Sequence, residues 1–374
     1  MQNDPVKRGV SQLTSTMAPV NSYNEWDPLE EVIVGRVDGA MVPAWDVIDA
    51  ATIPPGAVET FTQAVGQRGQ PYAPELVQAA QNCLAELIHI LEAEGVTVRR
   101  PDPMNFAAPF RTPAWEVKNG FNAANPRDVF LVVGDEIIEA PMVDRGRYFE
   151  TWPYRTLLKD YLRAGARWTA APRPQLLDAQ YDSTYRVPTG NEAMRYVITE
   201  FEPVFDAADF IRCGRDIFVQ KSHVTNSLGI TWLRRHLGET YRIHEIETCY
   251  RQAMHIDTSF MPLAPGKVLV NPEYVPIEKL PGILRSWDIL ECPPPVITPK
   301  NRQGYVSKWG CVNVLMLDEK RMLVEKAQEP LIQKLKTWGF EPIPCSFEDY
   351  YVFGGSFHCC TLDVRRKGTL QSYF

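Results

Sequence analysis

Residues 129–134 read VFLVVG, and after Asp135 residues 136–141 read EIIEAP: two short β-branched runs in succession. A helical stretch around Leu157 to Leu162 follows, and then a third short run, RWTAAP at 167–172. Runs of this length bounded by Gly, Pro and Asp read as strands, and the segment between them as an amphipathic helix. The phrase is therefore strand, strand, helix, strand.

Outward from this stretch the same phrase recurs. Upstream, EVIVGR (Glu31 to Arg36) precedes a helix starting near Pro74, a residue suited to a first turn. Leu76, Ala80, Cys83, Leu84, Leu87 and Leu91 fall on one face of it, Gly95 ends it, and VTVRR follows before the break Pro101 to Pro103. Downstream, DIFVQ, a helix from about Asn226 to Leu237 and YRIHEIE form a third unit. MHIDTSF, KVLVN, a helix near Ile277 to Leu284 and DIL form a fourth, and VNVLML, RMLVEK, a helix from Pro330 to Trp338 and FEPIPC a fifth. SFHCCTLDVRR is left over, free to pair with the first unit and close the units into a ring without sheet edges. On pattern alone an open α/β sheet is the simpler expectation.

The chain has 374 residues, which by size alone predicts two or three domains, or else one closed domain of repeated units. With 45% apolar residues it can bury a large core, which excludes disorder and a disulfide mini-scaffold. A net charge of −7 argues against nucleic-acid or anionic-membrane partners. Residues 1–22 read as a loose polar arm without the apolar region of an export signal, and 23–374 as a single domain. No run approaches the ~20 apolar residues of a membrane span. The expected location is cytoplasmic, so the eight scattered cysteines, which form no CxxC pair, are expected to be reduced and mostly buried. The 31 prolines exceed the usual share of ~5%.

Polar groups gather at strand ends in four places: Asp128, Asp206 with Asp209, His255 with Asp257, and His358-Cys359-Cys360. Cys359 follows Gly354, Gly355 and Ser356, which allow close backbone approach, and a nucleophilic thiol needs a partner such as His255. A buried, inert strand cysteine is the competing reading. Alternation predicts that Cys360 faces away from Cys359, that His255 and Asp257 share a strand face, and that Met254 and Ile256 point oppositely. Carboxylates converging on one cavity require a cation between them, either a guanidinium, whose planar donors match carboxylates in pairs, or a metal. No HExxH, acidic metal loop or phosphate loop occurs.

Read together, NEWDPLEEVIVGR, EGVTVRRPDP, NPRDVFLVVGDEIIEAP, FEPVFDAADFIRCGRDIFVQ, MHIDTSF, VNVLMLDEKR and FHCCTLDVRRKGTLQSY resemble the glycine (arginine:glycine) amidinotransferase family, including bacterial natural-product members. The resemblance runs from about Asn21 to the last residue. It implies a five-bladed, pseudo-symmetric α/β propeller (pentein-like) of ββαβ modules, with Cys359 as nucleophile, His255 as general acid/base and Asp206 orienting it. Asp128 and Asp257 match substrate-binding aspartates, and Met254, Gln252, Ser307 and Tyr274 fall at further substrate positions. The implied chemistry is a ping-pong transfer of the amidino group of L-arginine through an amidino-cysteine to an amine acceptor, with ornithine released. It needs no cofactor or metal, and the family points to a homodimer.

The sequence departs from the glycine enzyme where that enzyme grips a carboxylate. Tyr274 stands at the position of an arginine, Val306 replaces one of two adjacent serines beside Ser307, and Gln252 replaces an asparagine. Glycine is therefore a poor expected acceptor, since its carboxylate loses a bidentate clamp. A guanidine hydrolase of the deiminase type and a non-catalytic propeller binding a guanidino ligand or a partner protein are the competing functions.

Overall fold

In the computed structural model, residues 18–44, 46–300 and 307–374 are described. Each recurring phrase folds as a small sheet whose middle strand pairs antiparallel on one side and parallel on the other. The first sheet holds β1 (Leu29–Val34), and the chain then passes through α1 (Val47–Thr52), α2 (Val58–Val65) and α3 (Pro74–Ala93) to β2 (Thr97–Arg99). A two-stranded excursion, β3 (Phe110–Arg111) and β4 (Glu116–Val117), leads to α4 (Pro126–Val129). The second sheet is β5 (Phe130–Val133), β6 (Glu136–Glu139), α5 (Arg155–Arg163) and β7 (Arg167–Ala170). The third is β8 (Phe210–Cys213), β9 (Asp216–Gln220), α6 (Ser227–Leu237) and β10 (Arg242–Ile246). The fourth is β11 (Phe260–Ala264), β12 (Lys267–Val270) and β13 (Asp288–Glu291). The fifth is β14 (Leu315–Met316), β15 (Arg321–Glu325), α7 (Glu329–Thr337) and β16 (Glu341–Cys345). Finally β17 (Thr361–Arg366) returns to the first sheet, antiparallel to β1, with Leu29 opposite Arg366 and Val34 opposite Thr361.

The described strands thus form five three-stranded sheets and one two-stranded sheet, not the single open sheet that pattern alone favoured. β5 and β6 are buried along their whole length, which explains their continuous apolar reading. α3 buries Ala80, Cys83, Leu84, Leu87 and Leu91 against the first sheet, the face its spacing predicted. Two expectations fail. The helix near Ile277 to Leu284 is two short 3-10 turns, Ile277–Lys279 and Gly282–Ser286, because Pro281 lies between them and lacks the donor a continuous helix needs. The third unit has one more strand than the sequence reading gave it, β8, whose Arg212 is buried against Glu25 and Asp363. The arm lies mostly outside the described residues. Its end is packed, with Val20 buried and Ser22 exchanging backbone hydrogen bonds with Gly134 at 2.9 and 2.8 Å.

Candidate active site

The same place in each three-stranded sheet supplies the chemistry: the short turn just before the antiparallel pair begins. α4 carries Asp128 ahead of β5, and Asp206 caps the turn Ala207–Asp209 ahead of β8. His255 and Asp257 belong to the turn ahead of β11, Asn313 follows the turn Gly310–Val312 ahead of β14, and Cys359 lies in the turn ahead of β17. His255 and Asp257 are therefore not alternate residues of a strand. His255 has a φ of +62°, a left-handed conformation costing roughly 1–3 kcal/mol, and this turns its ring inward. Cys359 and Cys360 diverge as expected although the strand starts only at Thr361: Cys359 lines the cavity and Cys360 enters the apolar core. Gly355 is required by close approach, since a Cβ there would stand 2.6 Å from both Asn125 Oδ1 and the Cβ of Cys359.

These turns surround a cavity of about 230 Å³. Asp128, His255, Asp257, Cys359, Gln252, Met254 and Ser307 all line it. The imidazole Nε2 of His255 lies 3.0 Å from Asp206 Oδ2, and its Nδ1 lies 3.6 Å from Asp128 Oδ1. The Cys359 thiol donates to Asp257 Oδ2 at 3.3 Å and accepts from Asn313 Nδ2 at 3.1 Å. Asp206 stands behind the imidazole, outside the lining. Tyr274 is also set back: it is buried, stacks on Tyr250 with centroids 3.8 Å apart, and its hydroxyl is 3.2 Å from Ser307 Oγ. It supports the wall instead of touching the cavity. Val306 lies outside the described residues.

No family model matches the chain. It is 48% identical over 356 residues to the L-arginine:L-lysine amidinotransferase of Pseudomonas savastanoi pv. phaseolicola, covering 95% of this chain and 97% of that one. It is 47% identical over 374 residues to the mitochondrial glycine amidinotransferase of Danio rerio, covering 98% of this chain and 87% of that one. Among solved structures, SxtG, an amidinotransferase of the saxitoxin biosynthetic pathway of Microseira wollei, superposes with a TM-score of 0.92 at 64% identity, over 95% of this chain and 100% of that one.

The chain belongs to the amidinotransferase family.

It is an enzyme of that class, and its likeness to a dimethylarginine dimethylaminohydrolase (TM-score 0.54, 13% identity, 89% of this chain and 99% of that one) places it in the α/β pentein fold. No described helix is long and apolar enough to cross a membrane.

The charges of this amidinotransferase site are unequal. Burial alone would depress the His255 imidazole, but the charge of Asp128, with the hydrogen bond and charge of Asp206, overcomes it and lifts the pKa from 6.5 to about 10. Burial, then the charges of Asp257 and Asp128, push the Cys359 thiol well above its ordinary value. The resting pair is thus a thiol beside an imidazolium. Against the effect of burial, the hydrogen bond from His358 holds Asp257 below the usual carboxylate range. Asp128, His255 and Cys359 are also the one group of three metal-ligating types among the described residues whose donor atoms lie within 4.8 Å of one another.

Four residues of this site escaped sequence reading. Asn313 donates to Cys359 Sγ while its Oδ1 accepts from the backbone N–H of His358 at 2.8 Å and of Cys359 at 3.3 Å. Arg147 binds Asp128 Oδ2 at 2.8 Å, Asp206 Oδ2 at 3.3 Å and Glu150 Oε2 at 2.9 Å. His358 bridges Asp257 at 2.9 Å and Glu25 at 3.2 Å. The only signal for Asn313 was its seat in VNVLML at the strand position where the other units carry carboxylates.

Proposed function

We propose that this enzyme transfers the amidino group of L-arginine, through a covalent intermediate on Cys359, to an amine acceptor other than glycine in a biosynthetic pathway, releasing ornithine. The observation that carries it is the meeting of the Cys359 thiol, the His255 imidazole and the Asp128 carboxylate within 4.8 Å on one closed cavity. A planar guanidinium entering between Asp128 and Asp257 cancels the two charges that hold the thiol protonated, so substrate binding itself favours the thiolate. The thiolate attacks the guanidinium carbon, and its C–N bond to the ornithine nitrogen breaks as His255 gives that nitrogen a proton. The neutral imidazole then takes a proton from the acceptor amine, which attacks the same carbon and expels Cys359. Exclusion of water from so small a cavity favours transfer over hydrolysis.

In this reading the five sheets are blades of one ring comprising residues 23–374, with the pairing of β1 and β17 as its closure, and no cofactor takes part. Glycine is disfavoured because Tyr274 is set behind Ser307 and offers a carboxylate nothing cationic. The test uses arginine labelled in the guanidino carbon. Intact mass spectrometry is expected to find one labelled amidino group on Cys359, ornithine in equal amount, and release of the label only on adding an amine. Citrulline without an amine would mean hydrolysis. Cys359→Ala is expected to lose at least about 10³-fold in turnover, and a variant that keeps its activity would sink the mechanism.

A further inference from the structure

One wall of the cavity carries acidic groups that the transfer chemistry does not use. Asp49, from α1, together with Asp144 and Glu150 line the same space as Asp128 and Asp257. Asp144 and Glu150 are only 5% and 3% exposed. Asp144 Oδ1 accepts from the Gly146 N–H at 2.7 Å, and the residue makes no ion pair among the described residues. Glu150 places Oε2 on Arg147, while its Oε1 is buried without any hydrogen-bond partner. A buried carboxylate oxygen left unpaired is costly, and such atoms ordinarily await a donor. Asp49 has Arg68 at 3.7 Å on its outer side.

The positive groups are few. Among the described lining residues only Arg147 and His255 carry positive charge, and both are held by Asp128 and Asp206. Five lining carboxylates therefore face a cavity that has no cation free to receive an anion. A bound guanidinium satisfies Asp128 and Asp257, leaving the wall of Asp49, Asp144 and Glu150 for another charge. The order of the reaction supplies a second argument. Ornithine leaves with an ammonium group beyond its reacting amine, and the acceptor then occupies the place ornithine vacated.

Building on the amidinotransferase reading above, we infer that the wall formed by Asp49, Asp144 and Glu150 is a subsite for a second positive charge, and that the acceptor is a diamine with no carboxylate. The reacting nitrogen, deprotonated by His255, faces Cys359, and the distant ammonium donates hydrogen bonds to Asp144 and Glu150. A charged donor on buried carboxylates gives strong, oriented contacts.

The experiment loads the enzyme with labelled arginine and follows transfer to pentylamine, cadaverine and aminovalerate, which share a chain length and differ in the far group. Cadaverine is expected to exceed pentylamine by about 10-fold or more in kcat/KM, with aminovalerate last. In Asp144→Asn, whose amide oxygen still accepts from Gly146, the ratio of cadaverine to pentylamine is expected to fall about 10-fold, and in Asp49→Asn by less. Within one variant this ratio is independent of the folded fraction and of the donor half-reaction. Equal rates for the two amines, a ratio unmoved in both variants, or transfer to none of the three from a labelled enzyme would overturn the inference. If no label reaches Cys359, the parent reading has failed and the inference falls with it. Label on Cys359 without diamine preference defeats the inference alone.

Discussion

On the His255 side of the cavity one guanidinium, Arg147, is shared among Asp128, Asp206 and Glu150. Behind Cys359 the balance is different. Arg212 binds Glu25 at 2.9 Å and Asp363 at 2.7 Å, Arg127 binds Asp363 at 2.6 Å, and His358 links Glu25 to Asp257. Charge behind the nucleophile is matched group for group, whereas on the acid/base side carboxylates outnumber their cation. Matched buried charges are costly to disturb and fix geometry. Unmatched ones keep an electrostatic field directed into the cavity, ready for a cationic ligand. The nucleophile's wall positions, and the opposite wall binds.

The sharpest way to break this comparison is on the acid/base side. Asp206→Asn keeps the shape but withdraws the charge that holds His255, and kcat is expected to fall on the order of 10³-fold with the melting temperature little changed. A thermal scan beside steady-state kinetics checks both halves. On the matched side the expectation reverses. Arg212→Met strands Glu25 and Asp363 in the core, so it should cost about 3–5 kcal/mol of stability. Urea unfolding measures this, and kcat per folded molecule should be far less affected. If Arg212→Met lowers kcat per folded enzyme as much as Asp206→Asn does, the division of labour is wrong.

Asn313→Ala probes the seam between the walls. It removes the Nδ2 donor to Cys359 and leaves two N–H groups of the turn without their acceptor, with an expected loss of about 1–3 kcal/mol in stability. A roughly 10-fold drop in the rate of Cys359 labelling should accompany it. The smallest effect is on pH dependence. Because the His255 pKa is raised in the folded state, its stabilising contribution is fully present below pH 6.5 and is lost as pH rises through about 10. Wild-type melting temperature should fall more between pH 7 and pH 10 than that of His255→Gln, and parallel profiles would contradict the raised value.

What could be read from sequence divides along the same line. Cys359, His255, Asp128 and Asp257 were legible because each interrupts or adjoins an apolar strand with a group that chemistry needs, and all four line the cavity. Arg212 was not, because a charged residue inside FIRC reads as a strand end until Glu25, almost two hundred positions earlier, is seen beside it. Arg147 and Glu150 lie in DRGRYFE, where two charges three apart read as a solvated turn, yet both are buried. Tyr274 was placed on the substrate by its position in NPEYVP, but ring stacking with Tyr250 holds it in the wall. Helices were legible wherever apolar spacing continued without proline and failed at Pro281, where local backbone chemistry outweighs pattern. Pairing between distant segments was the hardest to read, since strands of similar composition carry no label for their partners.

That distant pairing also governs when the enzyme comes alive. The turn bearing Cys359 is held by β17, whose partner β1 was synthesised more than three hundred residues earlier. On the ribosome the four internal sheets can form in turn, but the first must wait with its edge open until the last strand emerges. Contacts of such long sequence separation form late and slowly. A chain halted before residue 361 would therefore carry the imidazole and the aspartates in place but no anchored thiol, so nascent chains can hold a guanidinium without reacting with it.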